Sequence, residues 1–325
     1  MGDRDYIITT MEVTRIDELC KFMGDSGFLW RDKKLLEYLL ILSSDISDNT
    51  IVLFKNKIVG CNLYISTKAC INGSTRTIKW SHSTYLSPEH RRHVGIDMLF
   101  ESVTRKDIWG FGLTKINNKI HRLSGSIFCK PSQAYICDLT HDKISRKNRK
   151  SKFPKEFICN GRKFKRCMFS TDHKMPNSGI WNGDCFNVDF IRDCDFMQKR
   201  FYGSNRSYWI YKVVRNTEVD ELYFVVKEIY SRDKLILFLV DYRFKFNETD
   251  SFKTILNALN YLVRNNEYNA IFVTTTFNAE DILSEYGYCK YGDSSSIVTN
   301  SPEAYNNMQL MVTPADSDCE LIPSN

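Results

Sequence analysis

Three cations, Arg91, Arg92 and His93, stand just ahead of Gly95 in the stretch Thr77–Phe100, TIKWSHSTYLSPEHRRHVGIDMLF. Positive charge beside a glycine, where a strand gives way to a helix, is chemistry for holding an anion. The N–H groups of a helix's first turn have no intrahelical acceptor, and the helix dipole favours each negative charge there by about 0.3–1 kcal/mol. The expected cradle runs from Arg92 through His93, Val94, Gly95 and Ile96 to Asp97.

The elements that position these groups are legible from periodicity. Ile78, Trp80, His82 and Thr84 alternate with Lys79, Ser81, Ser83 and Tyr85, a strand pattern that predicts the first four on one face. Leu86-Ser87-Pro88 breaks it, Glu89 to Gly95 reads as a basic turn, and a helix is expected from Ile96 through Val103. Upstream lie a short strand at Tyr6–Thr10 and helical spacing over Val13–Met23 and Arg31–Leu42. Strands at Thr50–Phe54 and Ile58–Ser66 follow, and Asn72-Gly73 turns the chain into the Thr77 strand. Downstream come a strand at Asp107–Leu113, a helix at Thr114–Ser124 ended by Gly125, and extended chain over Ile127–Cys137.

Arg92-His93-Val94-Gly95, set in this order of elements, resembles the GNAT superfamily of acyl-CoA-dependent N-acyltransferases, whose diphosphate loop reads Arg/Gln-x-x-Gly-x-Gly/Ala. Asp97 departs from that pattern, since a carboxylate stands where a small residue lets backbone approach phosphate, and the spacing from Pro88 is one residue longer than usual. The resemblance implies an α/β fold of the α+β mixed-sheet kind, with central, mostly antiparallel sheets flanked by helices. It implies acetyl-CoA or another acyl-CoA as co-substrate and no metal. The pantetheine arm would run beside the backbone of Leu86, with Thr114 or Asn117 bonding it, and Arg91 to Asp97 would hold the diphosphate. His82 would be the general base, with Glu89 the second choice. His121 stands four residues before Gly125, where the family often has a tyrosine, and would return a proton to sulfur.

A chain of 325 residues has room for two ordinary domains. The net charge of +6 suits a phosphorylated ligand without demanding nucleic acid. The absence of a long apolar run argues against a membrane span, and eleven scattered cysteines with no CxxC pair argue for reduced thiols in a cytoplasmic protein without a zinc site. From His141 the composition turns basic up to Arg166, which reads as a linker or exposed insert able to neutralise phosphates, and residues 141–200 are assigned to it. Within it Val188–Tyr202 reads as a helix whose Arg192, Lys199 and Arg200 face solvent or ligand. Beyond, strands at Ser207–Val214, Leu222–Tyr230 and Leu235–Tyr242, a helix at Phe252–Arg264, a strand at Ala270–Thr275 and a helix at Glu280–Glu285 repeat the first half's order. The expected layout is therefore two tandem GNAT-like domains, residues 1–140 and 201–325. The second lacks a cofactor loop, Asp241–Asp250 being acidic instead, and its tail after Ser301 reads as frayed. This doubled layout is similar to GNAT proteins of bacterial surface-polysaccharide biosynthesis. It implies an acceptor that is an amino sugar, nucleotide-linked. The alternatives are an aminoacyl-tRNA-dependent transferase and a non-catalytic CoA- or ligand-binding protein.

Overall fold

The computed structural model describes residues 5–26, 33–42, 45–105, 107–139, 153–167, 186–202, 208–213, 222–231, 234–244, 249–264 and 266–316. The chain divides into two compact units: residues 1–130 with 295–308, and residues 131–294 with 309–325. The first holds β1 (Tyr6–Thr10), α1 (Ile16–Asp25), α2 (Lys33–Ile41), β2 (Thr50–Phe54), β3 (Lys57–Ile71), β4 (Ser74–Leu86), α3 (Arg91–Thr104), β5 (Ile108–Phe111), α4 (Lys115–Leu123) and β6 (Ile127–Phe128). The second takes β7 (Gln133–Asp138), β8 (Glu156–Cys159), β9 (Arg162–Cys167), β10 (Val188–Phe190), α5 (Cys194–Met197), β11 (Trp209–Val213), β12 (Leu222–Ser231), β13 (Lys234–Phe244), α6 (Thr249–Arg264), β14 (Ala270–Thr275), α7 (Glu280–Glu285) and β15 (Cys289–Lys290). The chain then returns to the first unit with β16 (Ile297–Thr299) and ends in the second with β17 (Leu310–Met311).

Turn chemistry sets the long hairpins. Asn72 and Gly73, at φ 47° and 83°, fold β3 onto β4, and Asn160 and Gly161, at φ 48° and 73°, do the same for β8 and β9. Two successive left-handed residues match the twist of a two-residue hairpin, which is why Asn-Gly serves. The second hairpin corrects the reading of 141–166 as linker. Residues 140–152 lie outside the described set, but Glu156–Cys167 are two strands of the second sheet, with Phe157 and Phe164 buried.

In the first unit the strands run in the order β1-β2-β3-β4-β5-β16-β6, antiparallel except for the parallel β4–β5 pair. In the second they run β15-β7-β14-β13-β12-β11-β9-β8, again with one parallel pair, β13–β14. Seven strands of the two orders correspond around an exchange, with β8 an additional edge strand of the second. β16, which follows the second half's elements in sequence, lies between β5 and β6. β7, which follows the first half's elements, lies between β14 and β15. Side chains lock the first insertion. Asn300 Nδ2 donates to the Val103 carbonyl at 2.8 Å, its Oδ1 accepts from the Ile108 N–H at 3.0 Å, and Thr299 Oγ1 donates to the Ile108 carbonyl at 3.0 Å.

Helix α6 packs Phe252, Ile255, Leu256, Leu259 and Leu262 onto Leu235, Leu237 and Leu239 of β13, the spacing of a buried helix face. In the first unit α3 lays Val94 and Met98 on Val52, Val59 and Leu86.

Two expectations fail in the second unit. Val188–Tyr202 is a strand, then a short helix capped by Asp193 on the Phe196 N–H, then a π-helical turn, not one helix. Its arginines face inward: Arg192 is 3% exposed and Arg200 1%. Arg192 Nε and Nη2 grip Asp241 at 3.0 and 3.1 Å, and its Nη1 meets Asp316 at 2.7 Å. Arg243 reaches Asp189 at 3.3 Å and Asp241 at 3.4 Å, while Arg200 Nε donates to the Ala315 carbonyl at 2.8 Å. Thr313 Oγ1 and Tyr223 OH also donate to Asp241, at 2.6 and 2.9 Å. Two arginines, Arg192 and Arg243, thus pair with three aspartates inside the unit, while Arg200 is held by a backbone carbonyl. Of the tail expected to fray from Ser301, residues 310–316 are instead buried, with Leu310, Met311 and Asp316 at 0% exposure, and residues 317–325 lie outside the described set. Long charged side chains are seldom buried unless paired, and sequence alone does not show these pairings.

Candidate functional site

β4 and β5 pair only over Lys79–Ile108, Trp80–Trp109 and Ser81–Gly110. β4 then continues to Leu86, beyond the last residue that β5 pairs, and β5 stops at Phe111. The cause is local. Against β3, Tyr64 lies opposite Ser81 and Leu63 opposite Ser83, so His82 is an extra residue with none opposite it. Such a bulge bends the strand and increases its twist. On the other side Gly112, at φ +65°, turns the chain out of β5 towards α4.

The parting opens a cleft walled by Ser81 and Thr84 of β4, Leu99 and Ser102 of α3, Gly110 of β5, and Asn117 and His121 of α4. Its volume is about 380 Å³ counted to the open mouth. Gly110 is closely covered: a Cβ would lie 3.1 Å from the side chains of both Leu113 and Val298, which would have to give by a few tenths of an ångström. Ser81 Oγ and Thr84 Oγ1 bond Asn62 Oδ1 at 3.1 and 2.9 Å. Burial lifts the nearby Tyr64 phenol to about 12.

The bulge changes the expected faces. Alternation put His82 with Thr84 and Ser81 opposite; in the structure Ser81 and Thr84 share the cleft face, and His82 is not among the cleft walls. His82 Nδ1 lies 2.9 Å from Ser83 Oγ. His121 does line the cleft, with Nδ1 2.9 Å from Ser126 Oγ. Burial lowers its pKa, so the ring is neutral at pH 7. A neutral imidazole accepts a proton before it can give one. Thr114 is the N-cap of α4, its Oγ1 accepting from the Asn117 N–H at 3.3 Å, so its role is structural while Asn117 faces the cleft.

At the mouth, α3 begins at Arg91, preceded by a 3-10 turn over Pro88–His90. Gly95 is therefore inside the helix, not at its entrance. The amides of Gly95, Ile96 and Asp97 fall where each N–H points to the carbonyl four residues back, which corrects the expected cradle. The His90 N–H goes to the Ser87 carbonyl and that of Arg91 to Pro88, so the helix presents Arg92 and His93 at its opening. Arg91, Arg92, His93 and Asp97 are exposed, Ile96 is 69% exposed, and Val94 is buried against the sheet. Arg91 Nε donates to the Leu86 carbonyl at 2.9 Å, so that backbone oxygen already has a partner. The Leu86 side chain is wedged between two glycines: a Cβ on Gly60 would lie 2.7 Å from it, and one on Gly95 3.6 Å. His93 stacks on Tyr6 at 5.9 Å, and Glu89 sits exposed, 3.7 Å from His90. Among the described residues no cluster of His, Cys, Asp or Glu could hold a metal, and no helix is long and apolar enough to cross a membrane.

The reading missed Ser81, Thr84, Asn62 and Ser102. Ser-His-Ser-Thr carries no mark of a bulge, so nothing in the sequence placed two hydroxyls three apart on one face.

Two mixed sheets flanked by helices, with the parallel pairs β4–β5 and β13–β14 set among antiparallel neighbours, give a pair of GNAT-like units. Solved structures with this fold include a GCN5-related N-acetyltransferase from Anabaena variabilis, at TM-score 0.59 and 10% identity over 90% of this chain and 72% of that one. A conserved protein of unknown function from Enterococcus faecalis matches at TM-score 0.59 and 12% identity, over 90% and 71%. N-myristoyltransferase from Saccharomyces cerevisiae with bound myristoyl-CoA matches at TM-score 0.59 and 10% identity, over 92% and 83%. No family model and no curated protein matches the sequence.

Proposed function

We propose that the protein transfers an acyl group, acetyl in the simplest case, from acyl-CoA to the amine of an amino sugar, nucleotide-linked. The observation that carries this reading is the parting of β4 from β5 at Ser81 and Gly110, beside a helix mouth bearing Arg91 and Arg92. Hydroxyl and carboxamide walls fit an amide-bearing arm, and the exposed cations fit phosphate. Acyl-CoA supplies an activated acyl carbon. The residues supply the rest. The acceptor amine must be neutral to attack, and His82, set out of register by the bulge, is the base assigned to take its proton. Neutral His121 is placed to take up a proton and hand it to the departing sulfur. Glu89 remains the second choice of base. The second unit's Asp241 is buried in ion pairs, so that position holds no phosphate.

His82→Ala is expected to cut turnover at least tenfold and leave calorimetric affinity for CoA unchanged. Full turnover on the acceptor would remove His82 from the mechanism. Gly95 lies within α3. Its added Cβ would meet only ordinary contacts at 3.6 and 3.9 Å, so Gly95→Ala is expected to raise stability by about 0.5–1 kcal/mol, as glycine-to-alanine changes in helices do. Arg92→Glu, which reverses charge at the exposed helix opening, is expected to weaken CoA binding at least tenfold. Unchanged affinity in Arg92→Glu would put the phosphates elsewhere.

A further inference from the structure

Ser81 and Thr84 owe their shared face to the extra residue at His82. Behind them Asn62 of β3 is fully buried. Its Oδ1 lies 3.1 Å from Ser81 Oγ and 2.9 Å from Thr84 Oγ1, and the two hydroxyl oxygens lie 3.2 Å apart. On its other side Asn62 Nδ2 donates to Tyr64 OH at 2.6 Å, which orients the carboxamide with its oxygen towards the hydroxyls. Tyr64 OH in turn bonds Ser102.

The triangle has two hydroxyl hydrogens, and its third corner can only accept. Either both hydroxyls donate to Asn62 Oδ1, or one donates to the other, which then donates to Asn62. Each arrangement keeps both hydrogens inside the triangle. What remains for the cleft is oxygen lone pairs.

We propose that Asn62 is a specificity-determining residue that sets the polarity of the cleft wall, leaving Ser81 and Thr84 as acceptors for the N–H of a secondary amide in the ligand's arm. The inference rests on the acyl-CoA reading and adds to it. The wall selects a pantetheine-type amide and rejects an arm with an ester oxygen there, because lone pairs would then face lone pairs with no hydrogen between them.

Isothermal calorimetry tests it with CoA and with CoA analogues in which one pantetheine amide N–H is replaced by oxygen. The wild-type protein is expected to bind one of these ester analogues about tenfold more weakly than CoA, the size of one lost hydrogen bond plus an unanswered acceptor. Thr84→Val together with Ser81→Ala removes the acceptors, and the double variant is expected to bind amide and ester alike. Asn62→Leu frees both hydroxyl hydrogens to point into the cleft, and the preference is expected to vanish or reverse. Should Asn62→Leu not fold, the hydroxyl variant carries the test alone. Equal binding of CoA and both ester analogues by the wild type overturns the polarity argument and leaves the acyl-CoA reading standing. So does an ester preference in the wild type, the result expected if the carboxamide were reversed, or full discrimination retained by the double variant. No binding of CoA at all overturns the parent reading, and this one with it.

Discussion

Asp241→Ala is expected to cost the second unit about 3–5 kcal/mol, the usual penalty for breaking a buried ion pair by removing one partner. The substitution strips the acceptor from Arg192, Thr313 and Tyr223 at once and leaves Arg192 and Arg243 short of a counter-charge where water cannot reach them. Urea unfolding would show the loss as a lower midpoint. Amide exchange would speed up in β12, β13 and residues 310–316 while β1–β4 hold. A midpoint shifted by less than about 1 kcal/mol would mean the cluster is replaceable. The pH dependence has a defined sign. Burial pushes the Asp241 carboxyl up, but the Arg192 and Arg243 guanidiniums more than reverse this and hold it below the ordinary carboxylate range. A depressed folded pKa contributes stability that is complete above the unfolded value of about 3.9 and is lost as pH falls through the folded one. Wild-type protein should therefore lose this contribution only below about pH 4, and Asp241→Ala should lack that acid step.

The second large effect concerns the exchanged strand. Residues 1–130 made alone are expected not to fold. Without β16 the pairs Ile297–Phe111, Val298–Gly110 and Thr299–Trp109 are gone, and so is the pairing of Val298 with Phe128. Trp109 and Gly110 would also lose the neighbours that cover them, including fully buried Val298. Far-ultraviolet circular dichroism and amide exchange should report an uncooperative chain. Co-expression with residues 131–325, which carry β16, should restore the sheet. A cooperative unfolding transition from 1–130 alone would show that β16 is dispensable.

Much of the first unit was readable because its signals are local. Asn72-Gly73 marks a turn by backbone preference, Thr114 and Gly125 bracket α4, and β2–β3–β4 carry the β-rich residues of neighbouring strands. His121 was found by counting back from Gly125, and it lines the cleft. The rest depends on contacts distant in sequence. Asn160-Gly161 is the same turn signal as Asn72-Gly73, but the basic residues around it read as linker. Arg192 and Arg200 look solvent-facing until Asp241, Asp316 and Ala315 are brought beside them. The register slip at His82 arises from how β4 lies on β3, not from any residue type, so the face it exposes could not be read from alternation. Gly95 marked the right neighbourhood, but its place inside α3 follows from the Pro88–His90 turn starting the helix early.

Where β16 joins β5 has a bearing on biosynthesis. The strand that completes Phe111 starts at Ile297. At roughly 5–20 residues per second of translation, the amino-terminal sheet waits on the order of 10–40 s with a bare edge between the emergence of one and the other. An unpaired edge is a template for joining another chain. Nascent copies on one message are therefore the setting in which this protein would be most prone to trade strands with a neighbour, and slower translation through the second half should lower its soluble yield.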